Sequence, residues 1–224
     1  MSANAQALKN HKLDAQAMQG YLKERKIDFM LEGIKVSGER AARVVGNMLS
    51  FSNRQGMERT TCKLDEVADD ALALASTDYD LTRSYDFKTI QIIRDYQKEM
   101  PMVLCVRSDI EQVVLNLVMN AAQAIGSTIR DVAAPRIVVR LRHDDDHALL
   151  EVEDNGPGMT ALNMHRVFEP FFTTKEPGEG TGLGLSVSYF IVTKNHGGTM
   201  SVRSKLGEGT CFSVQLPVGG GVKE

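Results

Sequence analysis

The chain has no tryptophan, few prolines and cysteines, and no block of charge of one sign in its 224 residues. Its net charge of -3 argues against a nucleic-acid partner, which would need clustered lysine and arginine. Its longest apolar runs are too short for a membrane span, and its polar N-terminus does not resemble a signal peptide. We therefore expect an ordinary globular domain, attached to a membrane only through regions outside this sequence, if at all.

The few cysteines also exclude some classes of protein. Cys62, Cys105 and Cys211 are odd in number and widely spaced, and their spacing is not that of metal ligands. A disulfide framework or a structural zinc site would need closely spaced or paired cysteines. We therefore expect a cytoplasmic protein whose thiols are reduced and lie in or near the core.

What the sequence does contain is a long helical seam near the N-terminus. Apolar and small residues alternate spacings of three and four along it: Ile27, Met30, Ile34, Ser37, Ala41, Val44, Met48 and Phe51. This heptad pattern favours a helix at about residues 21–53 that packs in a coiled coil, a bundle or a helical hairpin. A helix that packs on the core of its own domain is the alternative. The run Asn53-Arg54-Gln55-Gly56 ends the pattern, so we predict a helical region over residues 1–56.

Residues 57–218 are predicted to form a second domain, and residues 219–224 a disordered tail. Helical patterns alternate there with short strands, for which we predict these ranges: Thr60–Leu64, Thr89–Tyr96, Met102–Val106, Arg136–Arg142, His147–Asp154, Thr199–Ser204 and Thr210–Leu216. Helices are expected over 66–75 after a capping Asp65, from a cap at Ser108 or Asp109 to Ile125, and over Leu183–Asn195. The order predicts an α+β sandwich in which one mixed, mostly antiparallel sheet lies under helices.

A glycine turn follows one of these strands. Asp154 ends the apolar strand and opens the run Asp154-Asn155-Gly156-Pro157-Gly158-Met159. A carboxylate at this place can accept a hydrogen bond from the exocyclic amine of adenine. Guanine would present a carbonyl there, at a cost of roughly 1–3 kcal/mol for two facing acceptors. The turn therefore predicts an adenine pocket that Gly156 and Gly158 allow a ligand to approach, and an aspartate that only caps its own turn is the alternative.

Two asparagines lie on the helix that precedes this strand. Asn116 and Asn120 are four residues apart, which places both amides on one helical face. Magnesium takes hard oxygen ligands and keeps several waters, so one amide carbonyl and the phosphates of a nucleotide suffice to bind it. A solvated or locally bonded asparagine pair is the alternative. The position of the pair before the strand and the glycine turn favours the metal site.

A second glycine-rich run joins a loop to a helix. The amides of Gly180-Thr181-Gly182-Leu183-Gly184-Leu185 can cradle phosphate oxygens, and the loop before them would be a mobile lid. Lys175 lies where the loop could fold a cation over the terminal phosphates, and a solvated lysine is the alternative. Three aromatic residues are expected to anchor the lid by burying their rings: Phe168, Phe171 and Phe172.

These segments, in this order, resemble the ATP-binding domain of sensor histidine kinases. The similarity is to the following motifs: Asn116–Asn120 to the N box, Asp154–Met159 to the G1 box, Phe168–Lys175 to the F box and Gly180–Leu185 to the G2 box. Gly207-Glu208-Gly209-Thr210 is similar to a later glycine motif whose threonine lies near the adenine. The resemblance covers residues 60–217 and implies the Bergerat fold, ATP bound with Mg²⁺, and phosphoryl transfer to a histidine.

The resemblance also implies roles for single residues, with Asn120 as the magnesium ligand and Asp154 as the partner of adenine. The nucleotide-binding residues that it implies are Asn116, Asn120, Asp154, Gly156, Gly158, Lys175, Gly180, Thr181, Gly182, Leu183, Gly184 and Thr210. Gyrase-type and chaperone-type relatives have a general-base glutamate at the position of Asn116. Because an amide cannot act as that base, transfer is favoured over hydrolysis. Asn116 and Lys175 are the candidates for a direct catalytic role.

The sequence shows no histidine in the setting that the phosphoacceptor of a histidine kinase has. Histidine kinases carry it early in a helical hairpin, in a His-Glu/Asp-x-Asn/Arg-Pro setting, which none of these residues has: His11, His143, His147, His165 and His196. The helix at 21–53 resembles the second helix of that hairpin, so we expect the phosphoacceptor helix to be absent and the fragment to be unable to autophosphorylate. The partners implied are ATP, the dimerisation hairpin of a homodimer and a response regulator receiver domain.

Three other functions stay open at this point. The same fold could serve an ATP-hydrolysing conformational switch, or an anti-sigma-type protein kinase, which would lack the preceding dimerisation helix. It could also be a binding module that has lost its nucleotide. The location expected from the resemblance is the cytoplasm, where the chain could be the cytoplasmic part of a membrane-attached sensor.

Overall fold

The structure is a computed structural model that describes residues 14–31, 33–35, 38, 58–77, 87–126, 134–175 and 180–218. The chain divides into two compact units, Met1–Asn53 and Arg54–Glu224. No helix within the described ranges is long and apolar enough to cross a membrane. The tail predicted at residues 219–224 lies outside the described residues, and the division into residues 1–56, 57–218 and 219–224 stays a prediction.

Within the described residues, the first unit contains helix α1, Ala15–Glu24. The Asp14 side chain caps the helix by accepting a hydrogen bond of 3.0 Å from the Gln16 amide. A turn then interrupts the helix, because Lys26 has a left-handed φ of 55°, and residues 27–31 and 33–35 are helical again. The helix predicted from about residue 21 thus starts earlier and is broken. The rest of the predicted seam, from Ser37 to Phe51, lies outside the described residues.

The described part of the second unit contains seven strands in two sheets. They are β1 Thr60–Lys63, β2 Gln91–Tyr96, β3 Met102–Cys105, β4 Arg136–His143, β5 His147–Asp154, β6 Thr199–Lys205 and β7 Gly209–Pro217. The main sheet has five strands in the order β2-β4-β5-β7-β6, and only the β2–β4 pair is parallel. The predicted mixed, mostly antiparallel sheet is therefore confirmed. The prediction of a single sheet is wrong, because β1 and β3 form a separate antiparallel pair.

The helices of this unit connect the strands. They are α2 Leu64–Thr77, α3 Arg107–Gly126, α4 Ala161–Arg166 and α5 Gly184–Phe190, with a short 3-10 turn at Phe87–Thr89. Helix α5 continues directly as a π-helical segment, Ile191–Asn195, which ends at His196. The helix predicted over Leu183–Asn195 is thus present, and its second half has the wider helical geometry.

The predicted N-caps of α2 and α3 are wrong by two or three residues. Asp65 lies within the first turn of α2, where its carboxylate accepts from the Glu66 amide at 3.0 Å. Helix α3 already begins at Arg107, so Ser108 and Asp109 also lie within its first turn. Asp109 is 2% exposed there and accepts a 3.3 Å hydrogen bond from the side chain of Asn195.

The core lies between α3 and the main sheet. Val113, Leu117 and Ala121 recur every four residues along α3 and are almost completely buried, as the helical period predicts. Strands β4 and β5 supply alternating buried side chains, such as Val139 and Val152, which pair across the two strands. Burial of each large aliphatic side chain contributes about 1.5–3 kcal/mol. This packing fixes α3 across the sheet, with its last turn beside the glycine turn after β5.

The three thiols are all free and buried, as the sequence predicts. Cys62 and Cys105 lie on the β1–β3 pair, and Cys211 lies on β7. Burial raises the pKa of Cys105 to about 12, so this thiol stays protonated at neutral pH. The thiols therefore act as small apolar core residues.

Candidate nucleotide site

Asp154 is the last residue of β5 and only 5% of its surface is exposed. Its Oδ1 accepts a hydrogen bond of 2.8 Å from the Gly156 amide, so the side chain does cap its own turn. Burial raises the pKa of Asp154 to about 6, although hydrogen bonds from the Gly156 and Thr210 amides act in the opposite direction. The turn thus holds a partly desolvated carboxyl group, and its bond to adenine stays a prediction.

The glycines of this turn are required by the protein itself. A Cβ on Gly156 would lie 2.9 Å from Asp154 Oδ1 and 3.3 Å from the Ile125 amide nitrogen at the end of α3. Gly158 has a left-handed φ of 68°, and a Cβ there would lie 2.1 Å from the carbonyl oxygen of Lys205. Both glycines were predicted to admit a ligand. The structure gives them a second reason, which is close packing of the turn on its neighbours.

Thr210 lies directly opposite Asp154 in the β5–β7 register and is buried. Its hydroxyl exchanges a 2.9 Å hydrogen bond with the hydroxyl of Ser204. Ser204 also accepts from the Met159 amide at 2.8 Å and lies 2.9 Å from the Gly209 carbonyl oxygen. Ser204 was not predicted, because no motif in the sequence marks it. It joins the glycine turn after Asp154 to the turn that carries Thr210.

Helix α3 places the two asparagines as the spacing predicts. Asn116 donates through Nδ2 to the Gly184 carbonyl and to Ser188 Oγ, both at 3.2 Å. Asn120 lies one turn further along and is half-buried. Within the described part of the chain its side chain makes no hydrogen bond to protein. The NH₂ group of Asn116 is therefore bonded to α5, whereas the side-chain amide of Asn120 remains available to a ligand.

The glycine-rich run before α5 is tied to the lid segment. The Phe171 amide donates to the Gly182 carbonyl at 2.9 Å. Gly182 has a left-handed φ of 66°, and a Cβ on it would lie 2.4 Å from the Phe171 carbonyl carbon. Thr181 Oγ1 accepts from the amide of Leu183, whose side chain is buried. This end of the lid is thus a backbone contact that only glycine fits.

The aromatic anchor differs from the prediction. Phe168 stacks on Tyr189 with ring centroids 5.1 Å apart and meets Phe212 edge-on at 6.3 Å. Phe172 is half-buried, and the guanidinium of Arg166 lies 4.5 Å above its ring. The ring of Phe171, in contrast, is 59% exposed. The prediction of a buried anchor is therefore wrong for Phe171, whose left-handed φ of 67° directs the residue into the backbone contact with Gly182 instead.

Lys175 reaches back to α3. Its ammonium donates to the side-chain oxygen of Gln123, which lies three residues after Asn120. Its backbone amide donates a hydrogen bond of 3.1 Å to the hydroxyl of Thr173. A Cβ on Gly180 would lie 3.2 Å from Lys175 Cδ, so this glycine lets the lysine pass. The ammonium thus contacts α3 about one turn after the free amide of Asn120.

A metal ion has few conventional ligands in this unit. Among the residues that the structure describes, no group of three or more histidine, cysteine, aspartate or glutamate side chains could hold one. A divalent cation at the Asn120 amide would therefore need the phosphate oxygens of a nucleotide as further ligands. Mg²⁺, which keeps waters and takes few protein oxygens, fits such a donor set.

The described histidines have structural or surface positions. His196 is 5% exposed, and its two ring nitrogens bond to the Ile191 carbonyl at 2.9 Å and to the Val106 amide at 3.1 Å. His147 and His165 are exposed, and His143 lies at the end of β4. His11 lies outside the described residues. The structural role predicted for His196 is therefore confirmed.

The sequence and fold match one known family. The sequence profile described as "Histidine kinase-, DNA gyrase B-, and HSP90-like ATPase" matches residues 105–220, which include every motif of the candidate site. Sensor kinase CckA of Brucella abortus is 37% identical over 193 residues, which are 82% of this chain and 20% of CckA. Sensor histidine kinase ZraS of Klebsiella oxytoca is 34% identical over 83% of this chain and 37% of ZraS. The chain thus spans well under half of the length of these relatives.

Solved structures agree with this assignment. The nucleotide-free catalytic domain of histidine kinase ThkA is 27% identical, with a TM-score of 0.59, and the match covers 72% of this chain and 99% of that domain. Its likeness supports the two-layer α+β fold that the motifs imply. The chain belongs to the histidine kinase-, DNA gyrase B- and HSP90-like ATPase family, as a catalytic ATPase domain of the kind found in two-component sensor histidine kinases.

Proposed function

We propose that this domain binds ATP with Mg²⁺ and donates the γ-phosphate to a histidine that is not among the five in this chain. From that histidine the phosphate passes to the receiver domain of a response regulator. The observation that carries the proposal is the side chain of Asn116. It is an amide, one helical turn before Asn120, and Gly184 and Ser188 hold it in place.

The amide at this position favours transfer over hydrolysis. A general base that activates water must accept a proton, and a neutral carboxamide does not do so near neutral pH. Phosphoryl transfer to a protein side chain asks the ATP-binding domain mainly to hold the γ-phosphate in line and to neutralise its charge. Asn116 can serve those purposes as a fixed hydrogen-bonding group.

Each residue of the site has a place in this proposal. The buried carboxylate of Asp154 accepts from the exocyclic amine of adenine and so selects adenine over guanine. The amide oxygen of Asn120 holds the Mg²⁺, which when bound neutralises phosphate charge. Lys175 supplies a second cation from the lid. The backbone of Gly180–Gly184 borders the phosphates.

The nature of the acceptor follows from the chemistry around the histidines. His196 uses both ring nitrogens within the protein, so neither is free to attack a phosphate. None of the other four histidines has the phosphoacceptor sequence setting, so we infer that this polypeptide alone does not autophosphorylate. In the full-length protein, a homodimer formed through a helical hairpin would present the acceptor histidine, with the catalytic domain in the cytoplasm.

Incubation with γ-labelled ATP and Mg²⁺ tests the transfer. The chain alone should acquire no acid-labile, base-stable label. A separate polypeptide that carries the phosphoacceptor hairpin of a related sensor kinase should acquire it when the chain is added. Stable phosphohistidine on this chain would contradict the proposed acceptor. Rapid ATP turnover without any labelled protein would contradict transfer as the main activity.

A further inference from the structure

Ser188 is a buried polar residue that no motif of the site includes. It lies on α5 and its exposed fraction is 0%. Its Oγ donates to the Gly184 carbonyl at 3.0 Å and accepts from Asn116 Nδ2 at 3.2 Å. Its neighbours on the helix, Val187 and Ile191, are buried and apolar. A hydroxyl in such surroundings is tolerated only when it is hydrogen-bonded, so its two bonds define what it does.

These bonds fix which end of the Asn116 carboxamide faces α5. The Gly184 carbonyl can only accept a hydrogen bond, so the group within 3.2 Å of it must be the NH₂ of Asn116. Ser188 uses its single proton on the same carbonyl and can therefore only accept from Asn116. Two acceptors thus hold the NH₂ end toward α5.

The oxygen of the carboxamide is left on the other side. In the described part of the chain, Asn116 Oδ1 accepts no hydrogen bond, and it is not sealed from solvent. It lies 3.8 Å from the position of a Cβ on Gly184, at the glycine-rich start of α5. Only this oxygen can interact favourably with a cation or with the water molecules bound to one, because an NH₂ group can only donate.

We propose that Ser188 is a positioning residue that keeps the carbonyl oxygen of Asn116 directed toward the cation–phosphate end of a bound nucleotide. The proposal rests on the proposed function, because it concerns the same site. Without the Ser188 hydroxyl, the carboxamide loses one of its two acceptors and can rotate its NH₂ end toward the cation. Metal-dependent binding should then weaken, while the adenine pocket around Asp154 is unaffected.

Calorimetry with three ligands separates these effects. The ligands are a non-hydrolysable ATP analogue with Mg²⁺, the same analogue with a chelator, and adenosine. In Ser188→Ala, the gain in affinity that Mg²⁺ gives should fall about fivefold, which corresponds to one ordinary hydrogen bond. The affinity for adenosine should not change, because adenosine has no phosphates.

Ser186→Ala is the matched control. This serine lies on the same helix, but its hydroxyl donates to the Leu183 carbonyl at 3.0 Å and, within the described residues, forms no hydrogen bond with Asn116. It should keep the full effect of Mg²⁺. In an Asn116→Ala background, Ser188→Ala should add nothing to the loss, because its effect acts through Asn116.

The outcomes decide between three accounts. An unchanged Mg²⁺ effect in Ser188→Ala, beside a clear effect in the unmodified chain, would overturn the role of Ser188 alone. Equal losses for all three ligands would show that Ser188 only supports the fold, and would overturn it too. Absence of any Mg²⁺ effect in the unmodified chain would overturn the proposed function together with this inference.

Discussion

At the scale of single residues, the buried carboxyl group of Asp154 is proposed to bind adenine, but it lowers the stability of the fold when it is ionised. Burial raises its pKa from 3.8 to about 6. A carboxyl group whose pKa is higher in the folded state stabilises the fold fully below its unfolded pKa, and this contribution is lost as the pH rises through the folded pKa. At pH 7.5 the ionised form therefore destabilises the domain, by up to ~3 kcal/mol.

The variant Asp154→Asn tests this cost. Asparagine keeps an oxygen for the Gly156 amide but removes the charge, so we expect the free energy of unfolding at pH 7.5 to rise by ~1–3 kcal/mol. The gain should shrink to less than half at pH 4.5, where the carboxyl group of the folded protein is protonated. Denaturant titrations at the two pH values measure it. Asp145→Asn, an exposed change in the β4–β5 turn, should stay within ~0.5 kcal/mol. A gain independent of pH would contradict the desolvated carboxylate.

At the scale of elements, the lid is held by a backbone contact between Phe171 and Gly182. Both residues have a left-handed φ, of 67° and 66°. For Phe171 such a conformation is strained, whereas glycine adopts it freely. Phe171 lies in the loop that carries Lys175. The contact therefore sets where this loop starts relative to α5.

Gly182→Ala and Gly197→Ala form a matched pair that isolates this contact. Gly197 has a φ of 64° and no atom within 4 Å of a Cβ on it. Gly197→Ala should therefore cost only the conformational strain, about 1–2 kcal/mol. Gly182→Ala adds a Cβ that would lie 2.4 Å from the Phe171 carbonyl carbon, so it should cost more and weaken nucleotide binding. Denaturation and nucleotide titration of both variants measure this. Equal losses of stability and of nucleotide binding in the two variants would contradict this, because the backbone of Phe171 would then move away from the added Cβ at no cost.

Helices and strands were predictable where the hydrophobic pattern of the sequence has a strong period. The β4–β5 and β6–β7 hairpins follow from alternation and turn residues. The break at Lys26 did not follow, because neither Arg25 nor Lys26 is a residue that favours a left-handed turn. The caps of α2 and α3 were misplaced, because several acidic or hydroxyl residues compete there and the backbone choice depends on tertiary packing. The π-helical half of the helix after Gly184 has no signal in the sequence.

At the scale of the whole molecule, the site is where separate segments meet around α3. Asp154 and Thr210 face each other across β5 and β7, and Gly156 packs on the end of α3. On α3, Asn116 donates a hydrogen bond to α5, and Gln123 accepts one from Lys175. The sequence motifs named the members of this set, except for Gln123. The contacts made by Ser188 and Ser204 were not predictable, because they join residues far apart in sequence that no motif pairs.

The measurement that tests the central claim most directly is a calorimetric titration with a non-hydrolysable ATP analogue and Mg²⁺, on the unmodified chain and on Asp154→Ala. We predict saturable binding to the unmodified chain. In Asp154→Ala the affinity should fall by roughly 1–3 kcal/mol in binding free energy, because the adenine amine loses its buried acceptor. Equal affinities would contradict the adenine pocket at Asp154. No binding to either protein would contradict the nucleotide site itself.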